Sequence, residues 1–267
     1  MKLRNYLTGI SLIASTAIAF SASPVRAFNF THGTNLGTCD VLVDNLTTPL
    51  FKAYIDDTTD VNTCQTADGF TLTGGLVGGG PGTSEDTFLQ GKMVDKDEIV
   101  KGIGVSIPTP GPVPGEIQHG EELKVELDVA KIIKSIDLSF LYVKGEFADK
   151  VFEVAEITAF DTDGNETKGT LSVVDETTAV WSLGGTVINL DPSREVEGGA
   201  YSIKNPFGNI SVASLLFTAP DPEHRAPFDS DYSLVAIETD VPEPATILGL
   251  SIVGGLMAST RRRRQSR

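Results

Sequence analysis

The chain has little of what most catalytic centres are built from. Its 267 residues include two cysteines, three histidines and one tryptophan. His32, His119 and His224 stand far apart, without the i, i+4 partner that a helical metal site uses. Cys39 and Cys64 have no histidine close by and are too widely spaced for a redox dithiol pair, so zinc and thiol–disulfide chemistry find no motif. No Gly-x-Ser-x-Gly elbow is present. The glycine run from Gly74 to Gly82 lacks the lysine and hydroxyl residue of a phosphate cradle and reads as a flexible loop. Two routes to hydrolysis stay open. A serine triad assembles in space rather than in sequence, and a chain rich in carboxylates brings some of them together whatever its function.

Positive charge is also scarce where it would count. The net charge is −15, yet eight of the 21 basic residues lie within 1–27 and 241–267. The body between them carries 13 positive and 35 negative residues, a net −22. Such a surface repels phosphate backbones and excludes a nucleic-acid partner. It suits solubility and leaves divalent cations as candidate ligands.

What is present begins with the two ends. Lys2 and Arg4 precede the apolar stretch Leu7 to Phe20, and Val25-Arg26-Ala27 supplies modest residues before a cut. This is the layout of a secretory signal peptide over 1–27, with a mature start at Phe28. At the other end Val241-Pro242-Glu243-Pro244 leads into an apolar segment over 245–260, followed by Arg261 to Arg264 and Arg267. Sixteen residues make roughly 24 Å of helix, short for a spanning segment, and arginines reaching to the headgroups extend it. Their excess after the segment puts that end on the cytoplasmic side. An ordinary tail anchor is the plain alternative.

The order of motif, short apolar segment and arginine cluster resembles the PEP-CTERM sorting signal of bacterial surface proteins. The resemblance is confined to residues 241–267. It implies an exosortase, a membrane transpeptidase, as partner, with Pro242, Glu243 and Pro244 as its recognition handle. It further implies an exported protein of the cell envelope, cell surface or extracellular matrix, held in the membrane only until processing.

Export to an oxidising compartment and an even cysteine count point to one disulfide, Cys39–Cys64. Closing that loop of 25 residues is worth roughly 3 kcal/mol in the chain-entropy picture.

The body, residues 28–240, reads as all-β. Leu123, Val125, Leu127 and Val129 alternate with polar residues, and Ile136, Leu138, Phe140 and Tyr142 do the same. Further strands are expected at 99–107, 151–160, 169–174, 178–183, 186–190, 200–204, 210–218 and 232–238, with turns at Asp163-Gly164-Asn165, Gly184-Gly185 and Asn205 to Asn209. Gly184-Gly185 suggests a tight hairpin. Short strands at this spacing suggest a β-sandwich or jelly roll. The proline-rich stretch at 106–116 is a candidate sub-boundary or a long loop within one domain. Expected core residues are Phe140, Phe152, Ile157, Trp181, Val187, Ile210, Val212, Leu216, Phe217, Val235 and Ile237.

Two acidic stretches are candidates for a structural calcium, the single cofactor the residues suggest. Asp161, Asp163 and Asn165 match the start of a calcium loop, but the closing glutamate of an EF-hand is missing, so a hairpin turn competes. Asp229 and Asp231 flank Ser230 before the last strand. Trp181 lies in an apolar strand and reads as core rather than as a sugar platform. The residues therefore lead to an exported protein without catalytic activity, or alternatively to a carbohydrate- or calcium-dependent adhesion module with surface polysaccharide as a candidate partner.

Overall fold

A computed structural model describes residues 26–44, 61–78, 87–93, 100–106, 115–146, 151–192, 199–220 and 230–240. The predicted sorting motif Pro242–Pro244, the segment 245–260, nearly all of the predicted signal peptide, His224 and Asp229 lie outside these residues. Most of the proline-rich stretch does too.

The fold is all-β, built as a curled antiparallel sheet. The strands are β1 (Arg26–Asn29), β2 (Thr63–Gln65), β3 (Phe70–Leu76), β4 (Phe88–Met93), β5 (Val100–Ser106), β6 (Ile117–Gln118) and β7 (Glu121–Ser139). They continue as β8 (Val154–Asp161), β9 (Glu166–Val173), β10 (Ala179–Trp181), β11 (Thr186–Asp191), β12 (Ala200–Lys204), β13 (Ser211–Thr218) and β14 (Asp231–Thr239). The helical content of the described residues is a 3-10 turn, Gly37–Asp40, running into one α-turn, Val41–Asp44.

Strand β7 organises the rest. Its first part lies between β3 and β13, and its last part between β12 and β14. Glu121, Leu123, Val125 and Leu127 are buried in strict alternation, as one-sided strands require. The alternation lapses from Asp128 to Ile132, where Val129 is exposed, and burial then becomes nearly continuous to Ser139. Two strands were expected here. One long strand forms because its exposed middle carries the chain from one half of the curl to the other. The halves then face each other over one core. The Phe28 ring of β1 meets Phe70 of β3 edge-on at 5.3 Å, and the Tyr232 hydroxyl of β14 donates to the carbonyls of Thr218 and Glu156. Burying large apolar side chains at roughly 25 cal/mol per Å² is the main driving force for this closure.

Several expectations need correction. Gly74 and Gly75 belong to β3 rather than to a loop, because β7 offers them hydrogen-bonding partners opposite Leu123 and Glu122. Gly184-Gly185 makes no hairpin: β10 pairs with β9 and β11 with β12, so the two left-handed glycines carry the chain from one strand pair to the other. Phe152 is exposed, since Glu153 holds the inward phase of that segment. A register shift between Val212 and Ser214 moves the inward phase of β13 onto Leu215 and Phe217, leaving Leu216 half-buried. Val187, Ile210 and Val235 are likewise half-buried rather than fully enclosed.

Cys39 and Cys64 form a disulfide with a Cα–Cα distance of 5.1 Å, tying the 3-10 turn to β2. Trp181 is in the core. Its Nε1 donates to the Pro206 carbonyl at 2.9 Å and its ring meets Phe207 edge-on. The indole lies flat over Gly169, where any Cβ would come within 2.2 Å of it.

Candidate functional site

The body's excess of carboxylates is not spread evenly over its surface. Glu116, Glu121 and Glu153 are all buried, and the Asp231 carboxyl hydrogen-bonds to both Glu153 and Glu116. Each comes from a different place in the chain. Glu116 precedes β6, Glu121 opens β7, Glu153 precedes β8 and Asp231 opens β14. Lys92 of β4 supplies the positive charge, with its Nζ 2.9 Å from Glu116 Oε1 and 5.4 Å from the centre of the Phe140 ring.

Local backbone features bring these groups together. A Cβ at Gly104 of β5 would fall 2.3 Å from the Glu116 carbonyl carbon, so only glycine lets the Glu116 backbone lie against that strand. The Ser233 hydroxyl donates to the Gly115 carbonyl at 2.7 Å, and the Ser230 hydroxyl bonds the backbone of Val154. The backbone N–H of Gln118 donates to Glu121 Oε2 at 2.9 Å, and that of Tyr142 donates to Glu153 Oε2.

A hydrogen bond between two carboxyl groups needs a proton, and two carboxylates cannot share one without it. Burial penalises the ionised forms. Glu121 is pushed up to about 7, chiefly by loss of water, with the Asp231 charge adding to the rise and the Gln118 N–H opposing it. Asp231 is also raised by burial, against the pull of its bonds to Glu153 and Glu116 and the charge of Lys92. Glu121 thus keeps its proton to a higher pH than a free carboxyl does, and Asp231 shifts in the same direction. Among the described residues, no group of three or more His, Cys, Asp or Glu side chains is arranged to hold a metal ion.

The hairpin turn between β8 and β9 behaves differently. Asp161 accepts hydrogen bonds from the backbone N–H groups of Asp163 and Asn165, both at 2.9 Å, and from Asn165 Nδ2 at 2.8 Å. These bonds lower the Asp161 pKa, the Asn165 side chain most of all. The carboxylate is engaged in closing the turn, as Asx residues do. Asp231 belongs to a separate place. Ser230 beside it touches Val154 at the start of β8, while Asp161 ends that strand, about 23 Å away for seven extended steps. His32 and His119 are exposed on separate loops.

Of the predicted calcium ligands, the structure brings Asp161 and Asn165 together, leaves the Asp163 side chain in solvent, and directs Asp231 inward. Lys92, Glu116, Glu121 and Glu153 were missed. Two of them had a signal. Glu121 continues the inward phase of Leu123, Val125 and Leu127, and Glu153 that of Ala155, Ile157 and Ala159. Compared with known proteins, the chain matches no protein family, no curated protein and no solved structure.

Proposed function

We propose that this chain is an exported, exosortase-processed protein of the cell envelope or extracellular matrix, and that its body is a jelly-roll-like β-sandwich that works by display rather than catalysis. The observation that carries this reading is the order Pro242-Glu243-Pro244, apolar segment 245–260 and arginine cluster. The Cys39–Cys64 disulfide fits an oxidising destination. A cut after Ala27 leaves Phe28 and Phe30, both buried, as the first anchors of the mature body. The segment 245–260 holds the chain in the membrane until an exosortase acts, and surface polysaccharide is the partner expected afterwards.

The test is the C-terminal mass of the mature protein from wild-type and exosortase-deficient cells. A shortened chain in the first and an intact one in the second is the expected result. Arg267 retained in the wild type would overturn the reading.

A second reading, a calcium- or carbohydrate-dependent binding module, is favoured by one observation. The turn between β8 and β9 presents the side-chain oxygens of Asp161, Asp163 and Asn165 at alternate positions, the start of a calcium loop. Melting with and without calcium, beside glycan-array binding with and without chelator, tests it. An unchanged melting temperature and an empty array reject it.

A further inference from the structure

We infer that β11 is a self-association edge through which two copies of this chain pair antiparallel. Among the described residues β11 pairs with β12 alone, so its other edge presents backbone N–H and C=O groups that no described strand receives. Such an edge is a template for another chain unless something blunts it. The other outer strands carry such devices. β1, β2, β6 and β10 are two to four residues long, and β4 carries the charged Lys92. β11 runs in regular register from Thr186 to Asn189 and shifts only towards Asp191. It exposes Ile188 at 41% and Leu190 at 54% on one face.

Charge selects the occupant. The chain as a whole is strongly acidic, yet no charged residue occurs from Ala179 to Leu190. Two acidic copies repel over most of their surfaces and approach with least cost at this neutral stretch. Geometry agrees. Directly opposed residues of an antiparallel pair point to the same face. A two-fold axis through the pair runs perpendicular to the sheet, so it matches even-numbered residues with even and odd with odd. Any such register, centred on Ile188 or on Asn189, sets Ile188 and Leu190 of each copy against the Thr186, Ile188, Leu190 row of the other. One short strand pair falls below the about 800 Å² per partner of a stable complex. The contact is therefore weak in dilute solution and gains from the crowding that display on a surface provides.

The test is sedimentation of the full chain over a rising concentration series, at low and moderate salt. The expected result is reversible dimerisation, strengthened several-fold by salt as like-charge repulsion is screened. Ile188→Lys and Leu190→Lys each weaken it at least tenfold, whereas Val129→Lys, at an exposed site on β7, leaves it unchanged. Ile188→Cys provides a second measurement. The native cysteines are both in the disulfide, so oxidation at modest concentration yields a dimer linked through residue 188 in the register centred there, and Asn189→Cys does the same in the register centred on Asn189. A chain that stays monomeric throughout overturns the inference. So does assembly that persists in both lysine variants, which would place the contact in another segment, or a Val129→Cys control that cross-links as readily as Ile188→Cys.

Discussion

The acidic residues at the two ends of β8 share their chemistry and behave in opposite ways. At the hairpin end, Asp161 sits in water and receives three hydrogen bonds, which lower its pKa. At the other end, Glu121 is enclosed and Asp231 half-buried beside Glu116 and Glu153, and burial raises both. Coulomb repulsion is secondary in both places. What decides is whether the charged form keeps its solvation or loses it, and desolvation of an ion outweighs one or two hydrogen bonds. Residue type alone therefore says little about what a carboxylate does in this protein.

The strongest way to break the comparison is to remove Lys92, the cation paired with Glu116 among the described residues. Lys92→Met leaves Glu116 enclosed without its ion pair, and urea unfolding at pH 8 is expected to show a loss of about 3 kcal/mol, the range for a broken buried pair.

Glu121 sharpens the comparison through its sign. Its folded-state pKa, about 7, lies above the ordinary 4.5. Below about 4.5 the group is protonated whether folded or unfolded and costs nothing. Between about 4.5 and 7 the folded form holds a proton that the unfolded form has lost, so stability falls as pH rises. Above 7 the penalty is constant, on the order of 3 kcal/mol for this shift. Glu121→Gln is expected to raise the melting temperature at pH 8, to leave it nearly unchanged at pH 5, and to flatten the profile between them. A variant with the wild-type slope would assign that slope to another group.

The smallest effect is at the hairpin, with the opposite sign. The lowered pKa of Asp161 means that its contribution is present above the ordinary aspartate value of 3.8 and disappears as pH falls through the folded-state value. Asp161→Ala is expected to lower the melting temperature slightly at pH 7, and the difference from wild type is expected to shrink as pH falls below the ordinary aspartate value. Asp175, lowered by its bonds to Thr177 and Thr178, follows the same rule. The wild-type chain should accordingly be most stable in mildly acidic solution, between the two regimes.

Much of the β architecture was legible in the sequence because alternation is a local signal. The inward rows of β7, β8 and β9 and the turn at Asp163-Gly164-Asn165 follow from nearest neighbours in the chain. The same reading, extended by one step, marks Glu121 and Glu153 as buried carboxyls. It stops at Phe152, which the phase of Glu153 turns outward, and at Leu216, which a register shift displaces. It gave no warning of Glu116 or Lys92, and it marked Asp231 as a calcium ligand rather than as a neighbour of Glu116 and Glu153. Glu116 is turned inward by the close approach of its backbone to Gly104, and Lys92 by its ion pair, both contacts between elements distant in sequence.

By itself, then, the sequence determined the all-β character, the acidic balance of the body and the pairing partner of each cysteine. These depend on composition, on period-two patterning and on there being only two thiols to join. The tertiary structure alone decided that β7 serves both halves of the curl, that Gly184-Gly185 carries the chain between strand pairs, and that carboxyls from four separate segments share one buried place. Those outcomes depend on which edges meet when the sheet closes, and loss of water at that closure, rather than residue type, sets the chemistry of the groups trapped there.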